Sequence, residues 1–341
     1  ADLLFGRRSL IESGAGKCSI VRDLSEPTTF ESSIIRVRLN RSICDPLFYY
    51  YWFKSPAGRG KIRSIVTGTN VKGIRGSDLS KLRVIFPNKD QQSRIVASIA
   101  PYDDLIENNK RRIALLEEST RILYREWFVY LRFPGHEHSK IIDGIPDGWK
   151  KLTFGDVCKA VGGGTPSTNK PEFWNEGDVA WYTPTDITRN GCLALLDSEK
   201  KITDAGLRGS SSKMLPAGTV MMTSRASVGF FGIIETPSCT NQGFISLIPH
   251  DPYSRMYLLH NLMHRVDEIR SHAGGATYKE INKSKFRALS VSLPEGTLLR
   301  VFEEQASTVH WQVRNLHMMN HKLAQARDLL LPRLMSGEIA V

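Results

Sequence analysis

The chain repeats itself at long range. Gly68-Thr69-Asn70-Val71-Lys72-Gly73-Ile74 is answered by Gly275-Ala276-Thr277-Tyr278-Lys279-Glu280-Ile281, and Leu82-Arg83-Val84-Ile85-Phe86-Pro87 by Leu289-Ser290-Val291-Ser292-Leu293-Pro294, both at an offset of 207 residues. The match continues without a gap through Ile106/Val313, Leu116/Leu323 and Leu123/Leu330. Upstream, Asp45-Pro46 answers Asp251-Pro252 one residue out of step, and the stretch from Leu3 to Ser9 resembles that from Val220 to Ala226. An offset held through strand, turn and helix marks duplication, where apolar spacing alone would not. Residues 145–218 have no counterpart before Ala1, so the first copy begins in mid-repeat. A stretch of comparable length is therefore expected to be missing from it, through truncation, disorder or assignment to a different chain.

Each copy shows the same order of elements. Short β-branched runs come first, Ser33–Val37 and Phe244–Ile248. A helical stretch follows each Asp-Pro, over Leu47–Ile65 and Tyr253–Ser271. A Gly-Thr or Gly-Ala-Thr loop then leads to a short strand ending at Pro87 or Pro294, and a long helix closes each copy.

The closing helices carry a heptad seam. Tyr102, Ile106, Asn109, Ile113, Leu116, Thr120, Leu123 and Trp127 recur at spacings of four and three. So do Val309, Val313, Leu316, Asn320, Leu323, Arg327, Leu330 and Leu334. The pattern predicts an antiparallel coiled coil, with Asn109 and Asn320 fixing register at some cost in stability. Ordinary amphipathic helices lying on their own domains are the alternative. The second helix is expected to stop at Leu331-Pro332, because proline removes a donor and clashes with the preceding turn. Arg132–His138, rich in Gly, Pro and polar residues, reads as the linker between copies. The fold class expected is α+β: two tandem pseudo-repeated domains joined by long helices. The divisions are 1–100 (first domain, its N-terminal part missing), 101–140 (first helical spacer and linker), 141–304 (second domain) and 305–341 (second helical spacer).

The 46 Lys+Arg against 35 Asp+Glu give a net charge of +11, which speaks to a polyanionic partner or to solubility rather than to fold. No apolar stretch approaches the roughly 20 residues of a membrane span, so no membrane partner is expected. The five scattered cysteines contain no Cys-x-x-Cys, so free thiols in a reducing cytoplasm are expected rather than disulfides or a thiolate metal site.

Catalytic signatures are missing. Ser13-Gly14-Ala15-Gly16-Lys17 lacks the first glycine of a phosphate loop, Ile11 standing there, and carries Cys18 in place of Ser or Thr. Gly162-Gly163-Gly164-Thr165 lacks the acidic partner and βαβ unit of a dinucleotide site. There is no Asp/Asn-Pro-Pro-Tyr, no Gly-x-Ser-x-Gly and no His-x-Glu with paired cysteines. What remains are polar loops in matching places. Thr165, Ser167 and Lys170 form one. Thr223-Ser224-Arg225 is mirrored by Gly6-Arg7-Arg8, and Thr240-Asn241-Gln242-Gly243 by Thr28-Thr29-Phe30. Thr277 and Lys279 are mirrored by Thr69 and Lys72. Glycine admits close backbone approach, hydroxyls and lysines suit phosphate oxygens, and Arg, Asn and Gln can read base edges bidentately. These loops point to nucleic-acid binding.

Together these stretches resemble the DNA-specificity subunits of type I restriction–modification systems. Ile145-Pro146-Asp147-Gly148-Trp149, with Leu152 and Gly155-Asp156-Val157, is similar to the opening of a target-recognition domain in that family. Gly163–Ser167, Trp181-Tyr182-Thr183-Pro184-Thr185-Asp186-Ile187 and Thr240–Phe244 resemble its interior signatures, and Leu330–Ile339 its closing motif. The resemblance implies a non-catalytic subunit whose two target-recognition domains each read half of a split double-stranded DNA site. It further implies two modification subunits that methylate adenine with S-adenosylmethionine, and restriction subunits that translocate and cleave with ATP and Mg, none of these cofactors being held by this chain. DNA contact carries over to Thr165, Ser167, Lys170, Thr223, Ser224, Arg225, Asn241, Gln242, Thr277 and Lys279, with Arg225 the foremost candidate for a base contact. Arg7, Arg8, Thr69 and Lys72 are the counterparts in the first copy. Helix pairing falls to Ile106, Asn109, Ile113, Leu116, Leu123, Val313, Leu316, Asn320, Leu323 and Leu330. A fragment of a fused restriction enzyme, with catalytic regions upstream, is the competing reading; a pure assembly protein is the third.

Overall fold

A computed structural model describes residues 1–22, 24, 26–275 and 279–341. The chain forms two compact units, one from residues 1–108 with 320–341 and one from residues 109–319. The expected divisions set the long helices apart as spacers. Here each helix contributes one part to one unit and the remainder to the other.

The first unit contains β1 (Leu3–Gly6), β2 (Arg8–Ser9), β3 (Cys18–Ile20), β4 (Ile34–Val37), α1 (Pro46–Lys54), α2 (Pro56–Arg63), β5 (Lys72–Gly73), α3 (Gly76–Leu79) and the start of α4 (Lys89–Tyr124). Strand β1 lies between β3 and β4, antiparallel to both. Asp45 caps α1, its carboxylate accepting from the Leu47 amide at 2.8 Å, with Pro46 in the first turn where no amide is needed. Phe48, Tyr49, Tyr51, Trp52 and Phe53 are all buried, so α1 is apolar nearly all round and forms the centre of the core. The expected single helix over 47–65 is broken at Ser55-Pro56, where Ser55 ends α1 and caps α2.

The second unit contains β6 (Ile141–Ile142), β7 (Ile145–Pro146), β8 (Lys150–Thr153), α5 (Phe154–Val157), β9 (Cys158–Gly162), β10 (Val179–Tyr182), α6 (Pro184–Asn190), β11 (Ala194–Leu195), β12 (Lys200–Ile202) and α7 (Asp204–Arg208). It continues with β13 (Val220–Thr223), β14 (Phe231–Ile234), β15 (Cys239–Thr240), β16 (Phe244–Pro249), α8 (Arg255–His264), α9 (Val266–Ser271), α10 (Lys283–Arg287), β17 (Ser290–Leu293) and most of α11 (Gly296–Ser336). Its main sheet runs β11-β14-β13-β16-β9. Strand β13 lies between β14 and β16 as β1 lies between β3 and β4, and the registers agree: Phe5 faces Ile35, and Met222 faces Ile245. The duplication seen in the sequence is thus a duplication of sheet topology.

Within each unit the long helices pair. In the second, Ile113, Val313 and Leu316 are buried in one cluster with Leu116, and the Asn109 side-chain amide donates to the Met319 sulfur at 3.5 Å. In the first, Arg327 on α11 forms an ion pair with Asp103 on α4. Partner numbers fall along one helix as they rise along the other, so the pairing is antiparallel. Ile106 is half-buried, and Asn320 is buried. Leu123 packs on the second core and Leu330 on the first.

Two further sequence expectations change. First, α11 passes through Pro332 and ends at Ser336. Proline costs one backbone bond, but Leu331, Leu334 and Met335 are buried in the first core, and that burial holds the last turn helical. The same reasoning lets α4 run through Pro101. Second, Leu82–Pro87 forms no strand, whereas its counterpart β17 pairs with β8. The Arg132–His138 linker anchors itself through one residue: Phe133 is buried, its ring 5.8 Å from that of Trp149.

Candidate nucleic-acid interface

Four loops of the second unit meet. The chain leaving β9 places Thr165 against the loop after β15, where the Thr165 hydroxyl donates to Gln242 Oε1 at 2.6 Å. The same loop is held from within: Asn241 Oδ1 accepts from the Gly243 amide, and the Asn241 amide donates to the Tyr182 carbonyl. Gly243 in turn accepts from the Ser224 amide, and Ser224 accepts from the Ile281 amide, joining the loop after β13 to the segment after Lys279. Across that junction Arg225 faces Glu280, its guanidinium donating twice to the carboxylate at 3.0 and 3.1 Å.

Exposure then sorts the candidates. Thr165, Ser167, Lys170, Arg225, Gln242 and Lys279 are exposed, and Asn241 is half-buried. Lys170 lies over the Phe173 ring, 4.9 Å from its centroid, which steadies it without neutralising it. Thr223 and Ser224 are corrections. Thr223 is fully buried, accepting from the Phe230 amide and donating to the Ser227 carbonyl, and Ser224 is buried beside it. Both hold the loop's shape and are closed to a ligand outside. The glycines are a second correction: a Cβ on Gly163 would overlap Thr240 and Asn241, and one on Gly164 would overlap Ser211. They admit the protein's own backbone rather than a phosphate. Thr277 lies outside the described residues.

The Trp-Tyr-Thr-Pro-Thr-Asp-Ile run is a corner that positions these loops. Trp181 and Tyr182 are buried, and the Trp181 ring nitrogen donates to the Gly164 carbonyl at 2.9 Å. Thr183 caps α6, Pro184 takes the first turn, and Asp186 returns to the Thr183 amide at 2.7 Å.

Sequence reading passed over α10. Lys283, Lys285 and Arg287 are exposed on this short helix, and Lys283 Nζ stands beside Gly162 at the root of the first loop. The alternating Lys-Ser-Lys-Phe-Arg pattern was the available signal, with Phe286 the buried member.

The first unit builds the same junction on a smaller scale. Arg8 on β2 faces Gly73 on β5, as Arg225 faces Glu280, so a glycine stands opposite Arg8 where Arg225 has a carboxylate. Arg7, Arg8 and Arg75 line a hollow of about 370 Å³ with Thr67 and Gly68. Lys72 Nζ donates to the Gly68 carbonyl at 2.9 Å, and Thr69 is exposed on the same turn. The glycine-rich Ser13–Lys17 turn is spoken for: Arg59 donates to the carbonyls of Ser13, Ala15 and Gly16.

Burial pushes the thiols of Cys18, Cys158, Cys192 and Cys239 up to about 12, so they stay protonated at neutral pH. Among the described residues no three His, Cys, Asp or Glu side chains gather to hold a metal, and no helix is long and apolar enough to cross a membrane.

Comparison with known proteins agrees with this picture. The specificity subunit of the type I restriction enzyme MjaIX of Methanocaldococcus jannaschii is 32% identical over 155 residues, which cover 45% of this chain and 36% of that protein. The HindI specificity subunit of Haemophilus influenzae is 23% identical over 330 residues, 78% of this chain and 71% of that one. The chain's match thus spans about a third of the first relative's length and more of the second's. Among solved structures, the S subunit of a type I restriction–modification system from M. genitalium has the same fold, with a TM-score of 0.56 at 18% identity over 98% of this chain and 82% of that one. The family model for the type I restriction modification DNA specificity domain matches residues 2–118 and 146–296. Two matched regions covering most of the sequence, one in each copy of the repeat, place this chain in the type I restriction–modification DNA-specificity family.

Proposed function

We propose that this chain reads double-stranded DNA for a type I restriction–modification complex, without catalysing a reaction itself. The observation that carries the reading is the meeting of four loops in the second unit, which presents Thr165, Gln242, Arg225 and Lys279, with Lys283 of α10 at the root of the first loop. Hydroxyl, amide and guanidinium groups fixed to one scaffold are what base edges and phosphates require. Modification subunits carrying S-adenosylmethionine, and restriction subunits carrying ATP and Mg, are the partners that would act on the bound site in the cytoplasm. A split site is read by one unit per half.

Two measurements test this. Binding of labelled split-site DNA by the assembled complex should weaken steeply with salt, with a log–log slope of about −0.9 for each phosphate neutralised. Absence of both specific and salt-sensitive binding sinks the reading. Arg225→Ala should relax discrimination at one position of one half-site by about 1–3 kcal/mol, while Lys283→Ala should weaken all sequences alike and reduce the salt slope by about one. A uniform loss on Arg225→Ala would reassign that guanidinium to phosphate.

A further inference from the structure

Within the second unit, the end of α4, helices α8 and α9 and the turn between β13 and β14 enclose a hollow of about 400 Å³. Three guanidiniums line it: Arg121 from α4, Arg125 from the turn that follows and Arg270 from α9. Glu118 is the only carboxylate on its walls, 3.4 Å from both Arg121 and Arg125. Arg270 Nε donates to the Val228 carbonyl at 3.1 Å, which fixes that side chain against the turn. Its other contact, Asp267 at 3.3 Å, is 93% exposed and well screened. Gly229 closes the wall with a φ of +85°: a Cβ there would stand 2.4 Å from Val266. All three arginine side chains are a little under half exposed, so a solute can reach them.

His260 on α8 is a further wall. It is 2% exposed, and its ring is stacked on that of Tyr124, 24° from parallel at 6.0 Å. Its Nε2 is buried and meets no hydrogen-bond partner among the described residues. Burial, with Arg121 close by, pushes the imidazole down to about 3, so the ring is neutral at pH 7 and one of its nitrogens carries a hydrogen. A buried polar nitrogen left unpaired is costly and uncommon in a native fold. Phe231, Met263 and Val266 add apolar wall beside these groups.

Guanidinium forks match phosphate oxygens, and an aromatic and aliphatic wall matches an apolar body. Three guanidiniums against one carboxylate leave an excess of two positive charges. A phosphomonoester carries about that much negative charge at pH 7, whereas each diester of a DNA backbone carries one. We propose that this hollow binds a small phosphomonoester with an aromatic or apolar ester group, its phosphate among Arg121, Arg125 and Arg270 and accepting from His260 Nε2. The ester group lies against Phe231 and Met263. Such a ligand ties the end of α4 to α9 and to the turn between β13 and β14, and it asks nothing of the DNA-facing loops.

The test titrates phenyl phosphate and inorganic phosphate into the purified full chain by calorimetry. Phenyl phosphate should bind saturably at one site per chain, and several times more tightly than inorganic phosphate. Arg125→Gln and Arg270→Gln should each weaken it by about tenfold or more, since each removes a charged donor. Arg208→Gln, on α7 and outside the hollow, should leave it unchanged. Heat without saturation at millimolar phenyl phosphate overturns the assignment. Equal weakening in Arg208→Gln would mean adventitious anion binding to a basic chain, and equal affinity for the two probes would remove the ester group; either outcome overturns it. Displacement of phenyl phosphate by a duplex oligonucleotide would give the hollow to the DNA backbone and overturn it as well.

Discussion

Replacing Phe128 by alanine is expected to lower the stability of the second unit by about 3–5 kcal/mol, the range for deleting a buried aromatic ring from a core that cannot collapse around the gap. Phe128 follows α4 in a π-helical turn over Arg125–Val129, and its ring meets five others, Trp127 among them at 6.1 Å. It lies 4.8 Å from Tyr257 and 4.9 Å from Phe302, both edge-on, with Tyr124 at 5.3 Å and Trp149 at 6.0 Å. Edge-on pairs add to area burial, so the loss should lie at the upper end. For a unit of this size the midpoint of thermal unfolding should fall by about 10 °C or more. Melting followed by the near-ultraviolet signal of the buried aromatic residues reads it. A fall of under about 1 kcal/mol would mean that the end of α4 is not part of this core.

Phe128 has a partner in the repeat. At the offset of 207, Tyr124, Trp127 and Phe128 correspond to Leu331, Leu334 and Met335. The first three are buried in the second unit's core and the last three in the first unit's. Each copy's long helix therefore ends in the core of the unit that its own copy does not begin. The heptad seam was readable from the sequence because its apolar spacing is local. This destination was not, because periodicity says which face of a helix is apolar and nothing of what covers it. For the same reason the stop expected at Pro332 gave way: a single proline's local cost is smaller than the burial of Leu331 beside it and of Leu334 and Met335 beyond it.

The interface divides along a similar line. Arg225 and Lys279 were legible as candidates, being basic residues with basic counterparts, Arg8 and Lys72, in the other copy. Thr223 and Ser224 looked the same in sequence but are buried, because a hydroxyl that satisfies buried backbone groups has the same residue type as one that faces a ligand. The Arg225–Glu280 pair joins residues 55 positions apart, which no local pattern announces. The Leu82–Phe86 stretch has the composition of a strand, yet it pairs with no strand among the described residues, because pairing belongs to the partner edge as much as to the sequence.

Asp103→Ala should destabilise the first unit by about 2–3 kcal/mol. Asp103 on α4 and Arg327 on α11 are each only about one-sixth exposed, and the Tyr51 hydroxyl also donates to Asp103 Oδ2, at 2.9 Å. Removing one member of a buried pair strands the other, commonly costing about 3–5 kcal/mol. Here the loss is smaller because Arg327 keeps Asp328, at 2.7 Å and largely exposed. Protonation should act on the same contact. Burial works to raise the Asp103 carboxyl, but the hydrogen bonds from Arg327 and Tyr51 outweigh it and hold the group below its ordinary range. A carboxylate depressed on folding lends stability that is fully present above its unfolded pKa, near about 4, and is lost as pH falls through its lower folded value. Denaturant unfolding of the wild-type chain should therefore show a drop below about pH 4 that is smaller in Asp103→Asn. Tyr51→Phe should remove about 1 kcal/mol and leave most of that pH dependence in place, because the Arg327 contact survives. Equal pH profiles for wild type and Asp103→Asn would show that this pair does not join the two helices in solution.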